Sequence, residues 1–269
     1  MLEVEMFFAY LATGAVAGLM SGMLGIGGGI VVVPSLAAIF FYNDSVPRDL
    51  HMQVAIGTSL ATMMVTLSSS LYAHNKKQSV VWPLVKSILP GLILGILSGV
   101  FLVRFLPSNF LSLFFGIFLI VISIQMMFPG KDQPVKGSNI SLPKKVILLP
   151  SILIGCLSSL LGAGGGTMWV PFFLRCKLHM HEALGTSVAC GIITALFATI
   201  CFEVLGYFLP LGKSIGFIYW PAFFGIAVTS VMFAPIGAAI AYKLSHKALK
   251  RVFSVFLLLV ALQMIFFAQ

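Results

Sequence analysis

The chain has 269 residues, 59% of them hydrophobic and only 9% charged, with a mean hydropathy of +1.09. A soluble domain carries about a quarter charged residues, so 16 basic and 7 acidic side chains exclude a water-solvated surface. The net charge of +9 is therefore read against membrane topology before nucleic acid is considered.

A helix crosses about 30 Å of hydrocarbon with roughly 20 apolar residues. Near-continuous apolar runs such as 111–128 and 252–267 lack the alternation of a membrane barrel. The expected fold is an all-α polytopic membrane protein without a soluble domain. In chain order the apolar segments fall at 6–24, 30–42, 49–74, 79–106 and 108–128, then at 145–161, 167–178, 180–208, 217–242 and 247–268. Residues 1–6 hold two acids and no basic region, so the first run is expected to be a retained helix rather than a cleaved signal. Cys156, Cys176, Cys190 and Cys201 form no CxxC pair and read as small packing residues, with no metal site expected.

The first run leads into residues 18–34, GLMSGMLGIGGGIVVVP, which return at 155–171 as GCLSSLLGAGGGTMWVP. The third carries Ala55-Ile56-Gly57-Thr58-Ser59, matched by Ala183-Leu184-Gly185-Thr186-Ser187. Trp82-Pro83 returns as Trp220-Pro221, and Gln125-Met126 as Gln263-Met264. Such self-similarity marks a duplication. It divides the chain into a first transmembrane repeat at 1–130, a basic cytoplasmic linker at 131–144 and a second repeat at 145–269.

If all ten segments cross, or if the first two of each half form a re-entrant hairpin, the loops fall on the same sides. One side then collects Lys76, Lys77, Lys131, Lys136, Lys144, Lys145, Arg175, Lys177, Lys243, Lys247, Lys250 and Arg251; the other holds Arg48, Arg104 and Lys213. Treating the first two segments as one broken crossing gives seven against eight. The positive-inside rule selects the first model. It places the protein in the inner cell membrane with both termini periplasmic. Five segments per half then make the second repeat inverted relative to the first. Inverted repeats are a hallmark of secondary transporters, whose site lies at the repeat interface near the midplane.

The segments after the glycine clusters span only about 18–20 Å as helix, too short to cross. Each half is thus expected to open with a hairpin whose glycine tip, 25–29 or 162–166, lies inside the membrane. Irregular backbone is tolerated there only when buried in protein or lining a wet cavity. A helix starting at such a tip presents unpaired N–H groups and a positive dipole end, an anion site built from neutral backbone. The candidate substrate-binding residues are Gly25, Gly27, Gly28, Gly29, Gly162, Gly164, Gly165 and Gly166. Thr58, Ser59, Thr186 and Ser187 join them, at the same depth by helix rise, with hydroxyls that donate to oxyanions without permanent charge. Ser21 and Ser158, one turn before the tips, are further candidates. Close helix packing through small residues is the competing reading of all these positions.

Ionisable residues in the membrane are functional by default. Glu203 is a candidate carrier of a coupling proton, with the interface or Lys213 as its other destinations, and Lys86 is expected to snorkel to the cytoplasmic side. Gln53 is either a site residue or interhelical hydrogen-bond glue. Trp82 and Trp220 suit interface anchors.

GxGGG followed by a helix and Pro, the GTS triplet, and Pro90-Gly91-x-x-x-Gly95 resemble the sulfite exporter TauE/SafE family over nearly the whole chain. The resemblance implies a permease for sulfur-containing anions such as sulfite, thiosulfate or organosulfonates. The sequence departs from that pattern at Val228-Thr229, which stand where the first half has Pro90-Gly91. The expected partners are a small anionic substrate, the lipid bilayer and a coupling proton or ion; no nucleic acid and no cofactor are expected. The alternative is a transporter or channel for another small anion such as a carboxylate. No HExxH, paired carboxylates or Ser-His-Asp set lies in the helices, so catalytic residues and an enzyme are not expected.

Overall fold

The structure, a computed structural model, describes residues 2–24, 27–43, 46–127, 144–207, 214–243 and 246–267. Gly25, Lys213 and the linker positions 131–143 lie outside the described residues. Among the described residues ten helices follow one another: α1 (Leu2–Leu24), α2 (Gly29–Asn43), α3 (His51–Lys76, preceded by a single 3₁₀ turn at Arg48–Leu50), α4 (Trp82–Phe105), α5 (Ser108–Met127), α6 (Lys144–Leu161), α7 (Gly166–Arg175), α8 (Met180–Gly206), α9 (Trp220–Lys243) and α10 (His246–Phe267). Six of them are long and apolar enough to cross a membrane. The chain is an all-α polytopic membrane protein.

Local chemistry sets the helix ends. Pro83 sits in the first turn of α4, where its missing N–H has no intrahelical partner to lose. Leu106 is extended ahead of Pro107, which closes α4. The Glu182 carboxylate accepts a hydrogen bond from the His179 N–H (3.1 Å), completing an orphan donor at the start of α8 and placing negative charge at its positive end.

One element differs from the expected segments. Between α8 and α9 a two-residue strand β1 (Ser214–Ile215) pairs antiparallel with β2 (Ile218–Tyr219). Gly216 makes the turn at φ 62°, a conformation other residues rarely adopt. The apolar run expected from 217 therefore starts as strand and becomes helix only at Trp220, because Gly216 holds the backbone in hairpin geometry.

The helices pack across the halves. α1 lies chiefly on α9, α4 on α6, α5 on α10, and α3 on α8. Exchanging each helix for its counterpart in the other half maps this set of pairs onto itself. The seams are glycine-faced: a Cβ on Gly95 of α4 would come within 2.9 Å of the Cys156 backbone nitrogen of α6. In lipid, where apolar contact gives no advantage over the solvent, such close backbone approach is what holds helices together. Phe101, Leu94, Leu149, Val228, Met232, Leu259 and Phe266 are exposed on the outer helices, the surface expected against acyl chains. By contrast two thirds of the α3 span is buried, against 28% for α1, so α3 is central.

Candidate functional site

Both glycine clusters form the same cap. Gly28 (φ 76°) and Gly165 (φ 70°) adopt the left-handed conformation that glycine tolerates without strain. From each carbonyl the next helix begins: Val31 and Val32 donate to Gly28 O at 2.9 and 3.0 Å, Met168 and Trp169 to Gly165 O at 2.9 and 2.7 Å. The N–H groups that precede these donors have no intrahelical acceptor, so each tip opens a helix with its positive end inward.

The two tips meet. A Cβ on Gly29 would collide with the Gly162 carbonyl oxygen and lie 3.1 Å from the Ala163 Cα. The Ser59 hydroxyl of α3 donates to Gly162 O at 2.9 Å, tying α3 to the second tip. Met63, one turn further along α3, inserts between the tips. Its sulfur would lie 2.9 Å from a Cβ on Gly29, and its terminal methyl occupies the places of side chains at both Gly27 and Gly164. Across from it, Gly191 of α8 packs so closely that a Cβ there would stand 2.6 Å from Gly164 O and 3.1 Å from Leu67.

Met63, Leu67, Val188 and Ala195 form an apolar cluster separate from the main core, flanked by Met64, Leu71 and Ile192. Beyond it a recess of about 290 Å³ is lined by Ser68, Leu71, Tyr72, Asn75, Trp82 and Ile192. The Trp82 indole N–H donates to Asn75 Oδ1 (3.0 Å) at its rim. The recess lies toward the end of α3 that carries Lys76, and Leu71 and Ile192, which line it, also pack against the cluster. Met63 and Leu67 drew no attention in the sequence because apolar side chains in an apolar helix are unremarkable. The available signal was the repeat itself: their counterparts in the second half are Gly191 and Ala195.

Of the hydroxyl pairs, Thr58, Ser59 and Thr186 are fully buried and Ser187 is 1% exposed. Thr58 Oγ1 accepts from the Tyr219 N–H (2.9 Å), and Thr186 Oγ1 accepts from the Val81 N–H (3.1 Å). These bonds are counterparts, each joining a long helix of one half to the entry of α9 or α4. The Ser187 hydroxyl donates to Leu184 O within its own helix (2.8 Å). The preceding glycines share the arrangement: a Cβ on Gly57 would lie 2.6 Å from Phe217 O, and one on Gly185 2.5 Å from Ser79 O.

The other expected positions are dispersed. Ser158 is buried at the second tip and Ser21 half-buried near the first. Gln53 Nε2 donates to Leu106 O (2.8 Å) and its Oε1 accepts from Ser108 Oγ (2.9 Å), joining α3 to the start of α5. Glu203 is half-buried on α8, its backbone against Gly216, and Lys86 is exposed on α4. Among the described residues, no three His, Cys, Asp or Glu side chains gather where a metal ion would be held.

Comparison with known proteins agrees with this architecture. The family model described as Sulfite exporter TauE/SafE matches residues 10–264. A probable membrane transporter protein of Haemophilus influenzae is 35% identical over 94% of this chain and 96% of its own length. The probable membrane transporter protein YunE of Bacillus subtilis is 26% identical over 97% of both, and one from Methanocaldococcus jannaschii is 28% identical over 89% of this chain and 88% of its own. No solved structure matches.

Proposed function

This chain belongs to the sulfite exporter TauE/SafE family of membrane transporters, and we propose that its cargo is a small sulfur-containing anion, such as sulfite, thiosulfate or an organosulfonate, carried by secondary transport coupled to a proton or ion gradient. The observation that carries this reading is the meeting of two glycine-capped helix starts at the centre of an apolar bundle. Two positive dipole ends converge where fixed charge is scarce. Backbone N–H groups there hold an oxyanion firmly enough to select it and loosely enough to release it, since no lysine or arginine stays paired with it.

The site comprises the tips at Gly27–Gly29, Gly162 and Gly164–Gly166, with Thr58, Ser59, Thr186 and Ser187 on the central helices. The two repeats lie inverted in the cell membrane with both termini outside, as the twelve-to-three division of basic residues favours. Alternating access then consists of moving the Met63–Leu67 cluster off the tips on the cytoplasmic side.

The test is radiolabelled flux in proteoliposomes across sulfite, thiosulfate, sulfoacetate, taurine and acetate, with and without a pH gradient. Saturable movement of the sulfur anions, stimulated by the gradient and lost in Gly28→Leu, is the expected result. Preference for acetate moves the assignment to a carboxylate carrier; unchanged flux in Gly28→Leu removes the tips from the pathway.

A further inference from the structure

The two tips share a backbone but not their side chains. Counterparts across the repeat are Ser21 and Ser158, Ile30 and Thr167, Val32 and Trp169. The first tip therefore meets the centre with aliphatic groups where the second has a hydroxyl and an indole. Ser158 and Trp169 are both fully buried, and neither the Ser158 hydroxyl nor the Trp169 indole N–H has a hydrogen-bond partner. Both lie against the backbone of Gly165, the residue that caps α7: a Cβ there would lie 2.7 Å from Ser158 Oγ and 3.0 Å from Trp169 Nε1. Thr167, two residues on from Gly165, has a third buried hydroxyl without a partner. The Trp169 ring is held in place by stacking on Phe173 (5.2 Å, 19°) and an edge contact with Phe172 (5.8 Å).

Buried donors without acceptors are rare in folded proteins, and each calls for a ligand or a cost. Here they stand beside the N–H groups of Gly166 and Thr167, which open α7 ahead of the first bonded donors. Indole and backbone N–H groups can only donate, and the two hydroxyls can do so as well. One water accepts about two hydrogen bonds, too few for this set, whereas an anion bearing several oxygens accepts from all of them.

We infer that the second tip is the anion-holding end of the site, with Trp169 and Ser158 as its specificity-determining donors and Thr167 supporting them, and that it takes an oxyanion presenting several acceptor oxygens. The first tip, lined by Ile30 and Val32, supplies shape and dipole, and of these donors it keeps only a serine hydroxyl, the half-buried Ser21, with no indole. The inference rests on the anion-transport reading and sharpens it from a symmetric site to a one-sided one. Gly165 is required because any side chain there would collide with the Ser158 hydroxyl and the Trp169 ring and would strain the left-handed backbone.

The test uses the full chain in detergent with Trp82→Phe and Trp220→Phe, leaving Trp169 as the sole indole. It is titrated with sulfite, thiosulfate or sulfoacetate against gluconate at equal ionic strength. A saturable change in Trp169 emission is expected, with its midpoint raised about tenfold by Ser158→Ala and kept near that of the parent by Ser158→Thr, which retains the hydroxyl. If Ser158→Ala does not yield folded protein, the near-isosteric Thr167→Val is read in the same way. Absence of a saturable response, or a midpoint moved less than threefold, overturns the donor pocket. Flux is scored separately. Proteoliposomes that carry none of these anions, with a responsive Trp169, overturn the transport reading and leave the pocket standing; flux beside a silent Trp169 does the reverse.

Discussion

Thr58 and Thr186 show how a hydroxyl deep in a bundle can serve the fold. Each accepts from a backbone N–H of the opposite half, at Tyr219 and Val81. Tyr219 is only 5% exposed, so no water can replace the acceptor. Thr58→Val keeps the shape and leaves that N–H unpaired; the expected loss is about 1–3 kcal/mol, read as a lower melting temperature in detergent, with Thr58→Ser close to the parent. A Val variant as stable as the parent would remove this bond from the stabilising set. The adjacent glycines act by absence: with Phe217 O and Ser79 O 2.6 and 2.5 Å from the Cβ positions of Gly57 and Gly185, Gly57→Ala and Gly185→Ala are each expected to cost about 1–3 kcal/mol through overpacking. Melting curves for the two should fall together, because the contacts are counterparts. Gly-Thr-Ser was legible as a repeated motif. Its partners were not, because they lie about 105 to 160 residues away in sequence and a single chain does not display its tertiary neighbours.

Among the elements, α3 carries the asymmetry of the bundle. Its Met63 and Leu67 fill the space that Gly191 and Ala195 leave on α8, so one apolar plug lies between the recess and the tips. In a variant whose four cysteines are replaced by serine, Ser68→Cys in the recess should react with a water-soluble maleimide, whereas Ala195→Cys within the plug should be protected. Adding Met63→Ala and Leu67→Ala should raise the labelling rate at position 195 at least tenfold. Equal labelling of positions 68 and 195 in the undisturbed plug would show that it closes nothing. The element boundaries themselves were readable to within about four residues, since glycine, proline and charge punctuate the apolar runs: α2 spans Gly29–Asn43 against an expected 30–42, α7 Gly166–Arg175 against 167–178, and α1 Leu2–Leu24 against 6–24. The short hairpin at 214–219 escaped, because four residues of strand are decided by one left-handed glycine rather than by any periodicity.

At the scale of the whole molecule, the duplication was visible in sequence while its consequence was not: the halves interleave rather than stand side by side. α1 finds its main partner in α9 and α4 in α6, so the most extensive helix contacts of each half are made with the other, while α2 packs on α1 and α3, and α7 on α8, within a half. Within a bilayer an unpartnered apolar helix pays no penalty for facing lipid, and association depends on close backbone packing at glycine seams. Separately made halves should therefore be incomplete alone and complementary together. The chain expressed as two pieces divided within 131–143 is expected to co-purify as one particle. The first piece alone should give no sharp melting transition. Gly95→Leu, which drives a branched side chain into the α6 backbone beside Cys156, should abolish co-purification, while Leu97→Ala on the exposed face of the same helix should not. A first piece that is monodisperse and melts cooperatively by itself would mean that each half holds its own core, and the cross-half pairs would then be contacts made after folding rather than the source of it.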